Sequence, residues 1–290
     1  MIVITGASGQ LGRLVVKALL KTEPPGRLIA AVRSPEKATE LAAVGVVVRS
    51  ADYDRPESLE AAMRGAEKVL LISGSAVGRR VNQHRAVIEA ARKAGVRLFA
   101  YTSVLRSPVT PLFVGQEHRE TEALIESSGL PAVILRNGWY CENYVGRAAA
   151  AAGGGVLLGC AGEGRISAAS RADYAEAAAA VLTRPNQAGE TYELAGDTAF
   201  SLAELAAELS RQLGRTISYR NIGESEFRAG LESSGIPAVY ANMMARSDAL
   251  TAEGALLDTG HQLSRLIGRP TTPIGAVLAE AIHDGRIPTR

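Results

Sequence analysis

Cysteine is nearly absent from this sequence: Cys141 and Cys160 are the only two in 290 residues. Two cysteines make no disulfide framework, and no cysteine–histidine spacing suggests a metal site. The expectation is a pair of free thiols in a reducing cytoplasm. Aromatic residues are also few, at 4%. Ala, Val and Leu must fill the core instead, which favours helices packed on buried aliphatic strands. No sign of charge dominates, since 32 basic residues face 30 acidic ones for a net +2. The charges are dispersed, which argues against a nucleic-acid tract or a polybasic membrane patch and leaves only local positive features, such as a phosphate site. Long apolar runs are missing too. The alanine-rich stretch 148–152 is far too short to span a bilayer. The opening MIVITGASG breaks into a glycine turn after a few apolar residues, so it reads as a buried strand rather than a signal peptide. What is present is a hydrophobic content of 47%, enough for one large domain, or a domain with a lobe.

The apolar pattern alternates between two periods. Residues 2–4, 28–32, 46–49, 68–72, 98–102 and 132–135 read as short aliphatic strands. Between them, residues 11–20, 35–43, 54–63, 81–94 and 117–128 read as helices. Pro24-Pro25-Gly26, Gly95 and Gly129 act as stops. Ser34 reads as an N-cap, with Pro35 at the first helical position. Continuous apolar strands joined by helices imply an α/β fold of Rossmann type, a doubly wound parallel sheet covered on both faces. After Arg136 the rhythm changes. Residues 137–147 mix polar and aromatic types, and 153–164 is glycine-rich around a short strand at 156–158. A helix is expected at 173–182 and another at 202–213, entered through a Ser201–Glu204 capping box. Helical segments continue to about His283. The expected organisation is a dinucleotide-binding domain over 1–147 and a smaller mixed C-terminal lobe over 148–290, with a segment near 190–196 returning to the main sheet.

The first strand runs into Thr5-Gly6-Ala7-Ser8-Gly9-Gln10-Leu11-Gly12. Gly6 permits a tight turn, Gly9 lets backbone approach a diphosphate, and Gly12 lets helix pack close to strand. Exposed N–H groups and the helix dipole then hold the phosphates. A glycine pattern alone is weak, but here it follows a buried strand and opens an amphipathic helix. At the end of the second strand, where an acid would bind a ribose 2′-hydroxyl, stands Arg33. A guanidinium there suits the 2′-phosphate of NADP(H), against the alternative of a solvated surface arginine. Asp52 reads as an adenine neighbour or a helix-capping acid. Ser73-Gly74-Ser75 reads as a bed for the second ribose or an ordinary polar turn.

These stretches resemble the NmrA-like atypical branch of the short-chain dehydrogenase superfamily. The phosphate turn, Arg33-Ser34-Pro35-Glu36-Lys37-Ala38, Val69-Leu70-Leu71-Ile72-Ser73 and Tyr101-Thr102-Ser103 all carry the likeness. Leu135-Arg136-Asn137-Gly138-Trp139-Tyr140, followed by Glu142-Asn143-Tyr144, carries it most specifically. Within the branch the sequence is nearest to bacterial NAD(P)H:quinone oxidoreductases of the second type, then to triphenylmethane dye reductases. The resemblance covers nearly the whole chain. It implies cofactor contacts at Gly6, Ala7, Ser8, Gly9, Gln10, Leu11, Gly12, Arg33, Ser73, Gly74 and Ser75. It adds Asn137, Gly138, Trp139, Tyr140, Cys141, Glu142, Asn143 and Arg171. For Arg171, a salt bridge to Asp173 or Glu176 is the alternative.

The superfamily's Tyr-x-x-x-Lys is missing: the corresponding helix reads Gly115-Gln116-Glu117-His118-Arg119-Glu120-Thr121-Glu122. Alcohol–ketone chemistry is therefore not expected. Hydride transfer to a quinone needs little acid from the protein, since the reduced product takes protons from water. His118 is the candidate acid, against a structural histidine on a helix face. Tyr140, Asn143 and Tyr144 are the candidates for shaping a substrate cleft, with Trp139 and Tyr140 able to stack on a flat ring or to serve in packing. The expectation is NADPH-dependent reduction of quinones. An NADP(H)-sensing regulator that binds a protein partner, or a reductase of triarylmethane dyes or other flat conjugated acceptors, is the alternative. A homodimer stays open.

Overall fold

A computed structural model describes residues 1–289. Along the first half of the chain, strand and helix alternate: β1 (Ile2–Thr5), α1 (Gln10–Leu19), β2 (Leu28–Val32), α2 (Thr39–Ala43), β3 (Val47–Ser50), α3 (Pro56–Ala62), β4 (Lys68–Leu71), α4 (Arg80–Lys93), β5 (Leu98–Val104), α5 (Gly115–Ser128) and β6 (Ala132–Asn137). There follow α6 (Val145–Gly154), β7 (Val156–Gly159), α7 (Arg171–Thr183), β8 (Thr191–Leu194), α8 (Leu202–Leu213) and β9 (Ser218–Asn221). Helices α9 (Glu224–Ser233), α10 (Ala238–Ala252), α11 (Gln262–Ile267) and α12 (Ile274–His283) complete the chain. Among the described residues no helix is long and apolar enough to cross a membrane.

The chain divides into two compact units. The first comprises Met1–Pro108, Val114–Asn137 and Arg171–Leu194. Its seven strands form one parallel sheet in the order β3-β2-β1-β4-β5-β6-β8. Strands β1, β2 and β5 are buried along their whole length, as aliphatic runs under helices on both faces must be. Val3, Ile29, Val69, Leu71 and Phe99 from the sheet meet Leu59, Met63, Val87, Ile88 and Ile125 from helices in one core. The strand order reverses between β1 and β4. In open sheets of this kind a ligand lies in the crevice beyond the carboxyl ends of the strands at that reversal.

Sequence boundary and contact boundary differ. The first unit closes at Asn137, not at 147, and takes back 171–194. The reason is packing: alanine-rich α7 lies against α1, and β8 pairs in parallel with β6. Locally, too, the expectation needs correction. Ser34 makes no capping bond, and residues 35–43 split into a 3-10 turn and the five-residue α2. Strand β3 is half-exposed rather than buried, because it is an edge. Arg49 on it donates to Ala62 O and Arg64 O.

The second unit comprises Val109–Phe113, Gly138–Ser170 and Ala195–Arg290. It is mostly helical, with β7 and β9 as a two-stranded parallel pair. Strand β9 is polar and largely exposed, so it carries none of the apolar periodicity that marks a strand in sequence. The Ser201–Glu204 capping box is present in full. Arg147 makes a bidentate pair with Asp248 at 2.9 and 3.0 Å, and its guanidinium lies 5.0 Å from the Phe227 ring centre.

Candidate nucleotide site

The phosphate turn is set by backbone. Gly6 has φ +62°, a conformation that a side chain disfavours. A Cβ on Gly12 would stand 2.3 Å from Gly6 O and 2.7 Å from Ala7 Cα, so only glycine lets α1 lie this close to the turn. Gly9 N donates to Gly6 O at 2.9 Å, and a Cβ on Gly9 would be 3.2 Å from the same oxygen. Gly9 is also the N-cap of α1 and offers no side chain to cap it. The first helical N–H groups, of Gln10, Leu11 and Gly12, have no partner within the helix, and no acid occupies the first turn. The result is an anion site made of N–H groups and a helix dipole. Ala7 and Leu11 bury their side chains and offer backbone only. Arg13 Nε donates to Ser8 O at 2.8 Å and braces the turn.

At the end of β2, Arg33 is exposed, and among the described residues its guanidinium has no ion-pair partner. Lys37, exposed nearby in sequence, has none either. Arg13, by contrast, is engaged by Glu40. Asp52 does not cap α3. Its Oδ1 accepts from Asp54 N at 3.1 Å in a local turn. Tyr53, unremarked in the sequence, stands next to it. Its hydroxyl lies 2.6 Å from Thr5 Oγ1 and 3.1 Å from Ile72 O, tying the ends of β1 and β4 together. Burial raises its pKa above the usual phenol value.

The loop after β4 is held by side chains. Ser73 N donates to Thr102 Oγ1 at 2.9 Å. Gly74 N donates to His84 Nε2 at 3.0 Å, and Gly74 O accepts from Arg80 Nε at 2.7 Å. Ser75 is exposed.

His118 requires a correction. It is 5% exposed, and its Nδ1 lies 2.7 Å from the buried Tyr101 hydroxyl. Burial, then the charges of Arg80 and His84, push its pKa down to about 3. The imidazole is therefore neutral near pH 7, and an imidazolium acid at this position does not follow. Tyr101 is raised by burial in turn. The two are a buried pair on β5 and α5.

At the end of β6, Arg136 is consumed by Glu122 and Glu193, at 2.7 and 2.8 Å. Asn137 is 5% exposed, and its Oδ1 has no hydrogen-bond partner among the described residues. Beyond it, in the second unit, Gly138, Trp139, Tyr140 and Glu142 are half-buried and Asn143 is exposed. Ala169 N donates to Trp139 O, and Cys141 N donates to Ala169 O, at 3.1 and 2.9 Å. Cys141 is wholly buried, so its thiol cannot face a ligand and its N–H is already used. Tyr144 is also corrected. It is 3% exposed, packed edge-on against Phe200 with ring centres 5.5 Å apart, and belongs to the core of its unit. Arg171 opens α7, and Glu176, one alternative partner, pairs with Lys21 at 2.8 Å.

Residues 6–185 match the model of a protein family described as NAD(P)H-binding. The chain belongs to this NAD(P)H-binding family. Among its relatives, Quinone oxidoreductase 2 of Escherichia coli (strain K12) is 50% identical over 282 residues, 97% of each chain. The solved structure of the NADPH-dependent quinone oxidoreductase of Escherichia coli complexed with NADPH superposes with a TM-score of 0.95. It is 48% identical and covers 97% of this chain and 100% of that one. The Citrobacter sp. triphenylmethane reductase complexed with NADP(H) gives a TM-score of 0.94 at 35% identity, covering 97% and 100%.

The residues present fit such a nucleotide. Uncapped amides at Gln10, Leu11 and Gly12 suit a diphosphate, and the unpaired Arg33 suits a 2′-phosphate. The orphaned Asn137 Oδ1 suits an amide donor. Sequence reasoning gave no role to Tyr53, Arg80, His84 or Thr102. One signal was available for Arg80. It starts a helix, where a cation opposes the dipole, so it must have another partner.

Proposed function

We propose that this chain is an NADPH-dependent quinone reductase that passes hydride directly to its acceptor. One observation carries the reading. A nucleotide site with its phosphate turn and Arg33 is combined with a Tyr101–His118 pair that is buried and closed on itself rather than offered as a proton donor. The relatives named above support it: one is a quinone oxidoreductase and another reduces triphenylmethanes.

NADPH, when bound, supplies a hydride. The protein's part is to bind, orient and exclude water. Amides of Gln10, Leu11 and Gly12 hold the diphosphate, and Arg33 forks onto the 2′-phosphate. Asp52 lies on the adenine side. Residues 73–75 form the bed of the second ribose. Asn137 Oδ1 accepts from the nicotinamide amide. Arg171 serves a phosphate or the acceptor, and Tyr140 and Asn143 line the acceptor side. The quinone gains two electrons and one proton equivalent as hydride, and water supplies the second proton. We place the enzyme in the cytoplasm, where its two free cysteines stay reduced, as a monomer or a homodimer.

The test mixes purified protein with NADPH and a simple benzoquinone and follows the absorbance of the reduced nicotinamide. Turnover well above the uncatalysed rate is expected. Tight binding without turnover would replace the enzyme with a sensor, and turnover of triarylmethane dyes alone would change the acceptor.

A further inference from the structure

The buried polar cluster beneath the loop after β4 has no part in the reading above, yet two of its bonds meet on one loop residue, Gly74. Gly74 N–H can only donate, so His84 Nε2, 3.0 Å away, must be an unprotonated acceptor. The proton of the neutral ring is then on Nδ1, which donates to Thr121 Oγ1 at 3.0 Å. Thr121 passes its own hydrogen to Glu117 O at 2.7 Å. The chain of donors is consistent from end to end. On the other side of the same residue, Gly74 O accepts from Arg80 Nε at 2.7 Å. Arg80 Nη1 donates to Glu117 Oε2 at 2.9 Å, and Glu117 Oε1 accepts from Gly78 N at 2.9 Å. His84 is 0% exposed and Arg80 5%.

This arrangement is more than helix α4 needs in order to dock. Val87, Ile88, Ala90 and Ala91 already seat α4 in the core. A buried Arg–Glu pair is a poor way to add stability, since desolvation offsets its attraction. What the cluster does is fix one loop residue by both its N–H and its C=O. That residue lies at the carboxyl end of β4, on the border of the crevice where the strand order reverses.

We propose that His84 and Arg80 are positioning residues for hydride transfer: they clamp Gly74 by its N–H and its C=O, so that loop 73–78 offers a single surface to the nicotinamide half of the cofactor. The proposal rests on assigning residues 73–75 to that half. Neither side chain touches the reacting atoms. They act through Gly74, and a small displacement there costs rate more than affinity, because orientation governs the chemical step.

Four measurements test it. In the protein without cofactor, His84→Leu should speed amide hydrogen exchange across 73–78 by about threefold or more, the loss of one hydrogen bond. With benzoquinone as acceptor, kcat should fall by about 10- to 100-fold, with a smaller rise in the KM for NADPH. Calorimetry should find adenosine 2′,5′-bisphosphate, which lacks the nicotinamide half, bound as tightly as before. His84→Gln, whose Oε1 can accept from Gly74 N, should recover most of the rate. Unchanged exchange and unchanged kcat in His84→Leu would overturn the proposal. So would an equal loss of affinity for adenosine 2′,5′-bisphosphate, which would mark a fold defect. If His84→Leu does not fold, Thr121→Val, which removes the partner of Nδ1, is read by the same criteria. If the unaltered protein reduces no quinone, the functional reading fails. The clamp is then judged on exchange and on the affinity for NADPH, which should fall in His84→Leu, against that for adenosine 2′,5′-bisphosphate.

Discussion

The two borders of the nucleotide crevice are built by opposite means. The border after β1 is backbone: glycines at 6, 9 and 12, bare amides and a helix end, all within one short stretch of chain. The border after β4 is side chain. A single glycine is held by His84 and Arg80 from α4, which lean on Glu117 and Thr121 from α5. At the first border a Cβ on Gly12 has no room. At the second, one residue takes the bonds of its N–H and its C=O from two side chains.

Four substitutions or conditions would break or sharpen this contrast. The largest effect is expected at the side-chain border. Arg80→Met leaves Glu117 charged and half of a buried pair, which should cost about 3–5 kcal/mol in urea unfolding. A loss below about 1 kcal/mol would mean that the pair is solvated and the contrast is overstated. Gly12→Ala tests the backbone border. Its Cβ has no room, so a loss of about 1–3 kcal/mol in thermal unfolding should accompany failure to bind either nicotinamide nucleotide by calorimetry. Normal binding would show that the turn can shift without harm.

Arg33→Ala should leave the melting temperature alone, because its guanidinium has no ion-pair partner among the described residues. It should raise the KM for NADPH by about 10- to 100-fold, the worth of a charge-assisted hydrogen bond, and leave NADH nearly unchanged. Equal damage to both cofactors would remove Arg33 from the 2′-phosphate.

The effect that is smallest per step concerns pH. Burial and the charge of Arg80 hold both His84 and His118 at a pKa of about 3, against 6.5 for a free imidazole. Between those values the unfolded chain binds protons that the folded one refuses. Stability is therefore full above about pH 6.5 and falls as the solution is acidified towards the folded-state value, by about 1 kcal/mol per pH unit from each buried imidazole. His118→Gln should lessen that slope by one histidine's share in unfolding curves taken at stepwise lower pH. An unaltered slope would mean that the ring is not buried as a neutral base.

The parallel sheet could be read from aliphatic runs spaced by amphipathic helices, and the phosphate turn from three glycines between strand and helix. Arg33 was legible for the same reason: its place is counted along the chain from the end of a strand. Other features could not be read this way. Tyr144 and Cys141 sit in the stretch most like the family's, but whether a side chain in such a stretch faces a ligand or a core depends on what packs over it. Phe200 covers Tyr144 from more than fifty residues away in the chain. His118 looked like an acid because a lone histidine on a helix shows its chemistry but not its burial. The boundary at 147 missed that α7 returns to the first unit, although the return of a segment near 190–196 to the sheet was legible.

By itself the sequence determined the alternating strands and helices of the first half, the glycine turn and the place of a cation after β2, because each is a matter of backbone freedom or charge within a few residues. Only tertiary structure decided which polar side chains are buried, which imidazole nitrogen carries the proton and which loop residue the cluster holds. Those depend on dielectric and on partners that meet across the fold, and no local spacing encodes either.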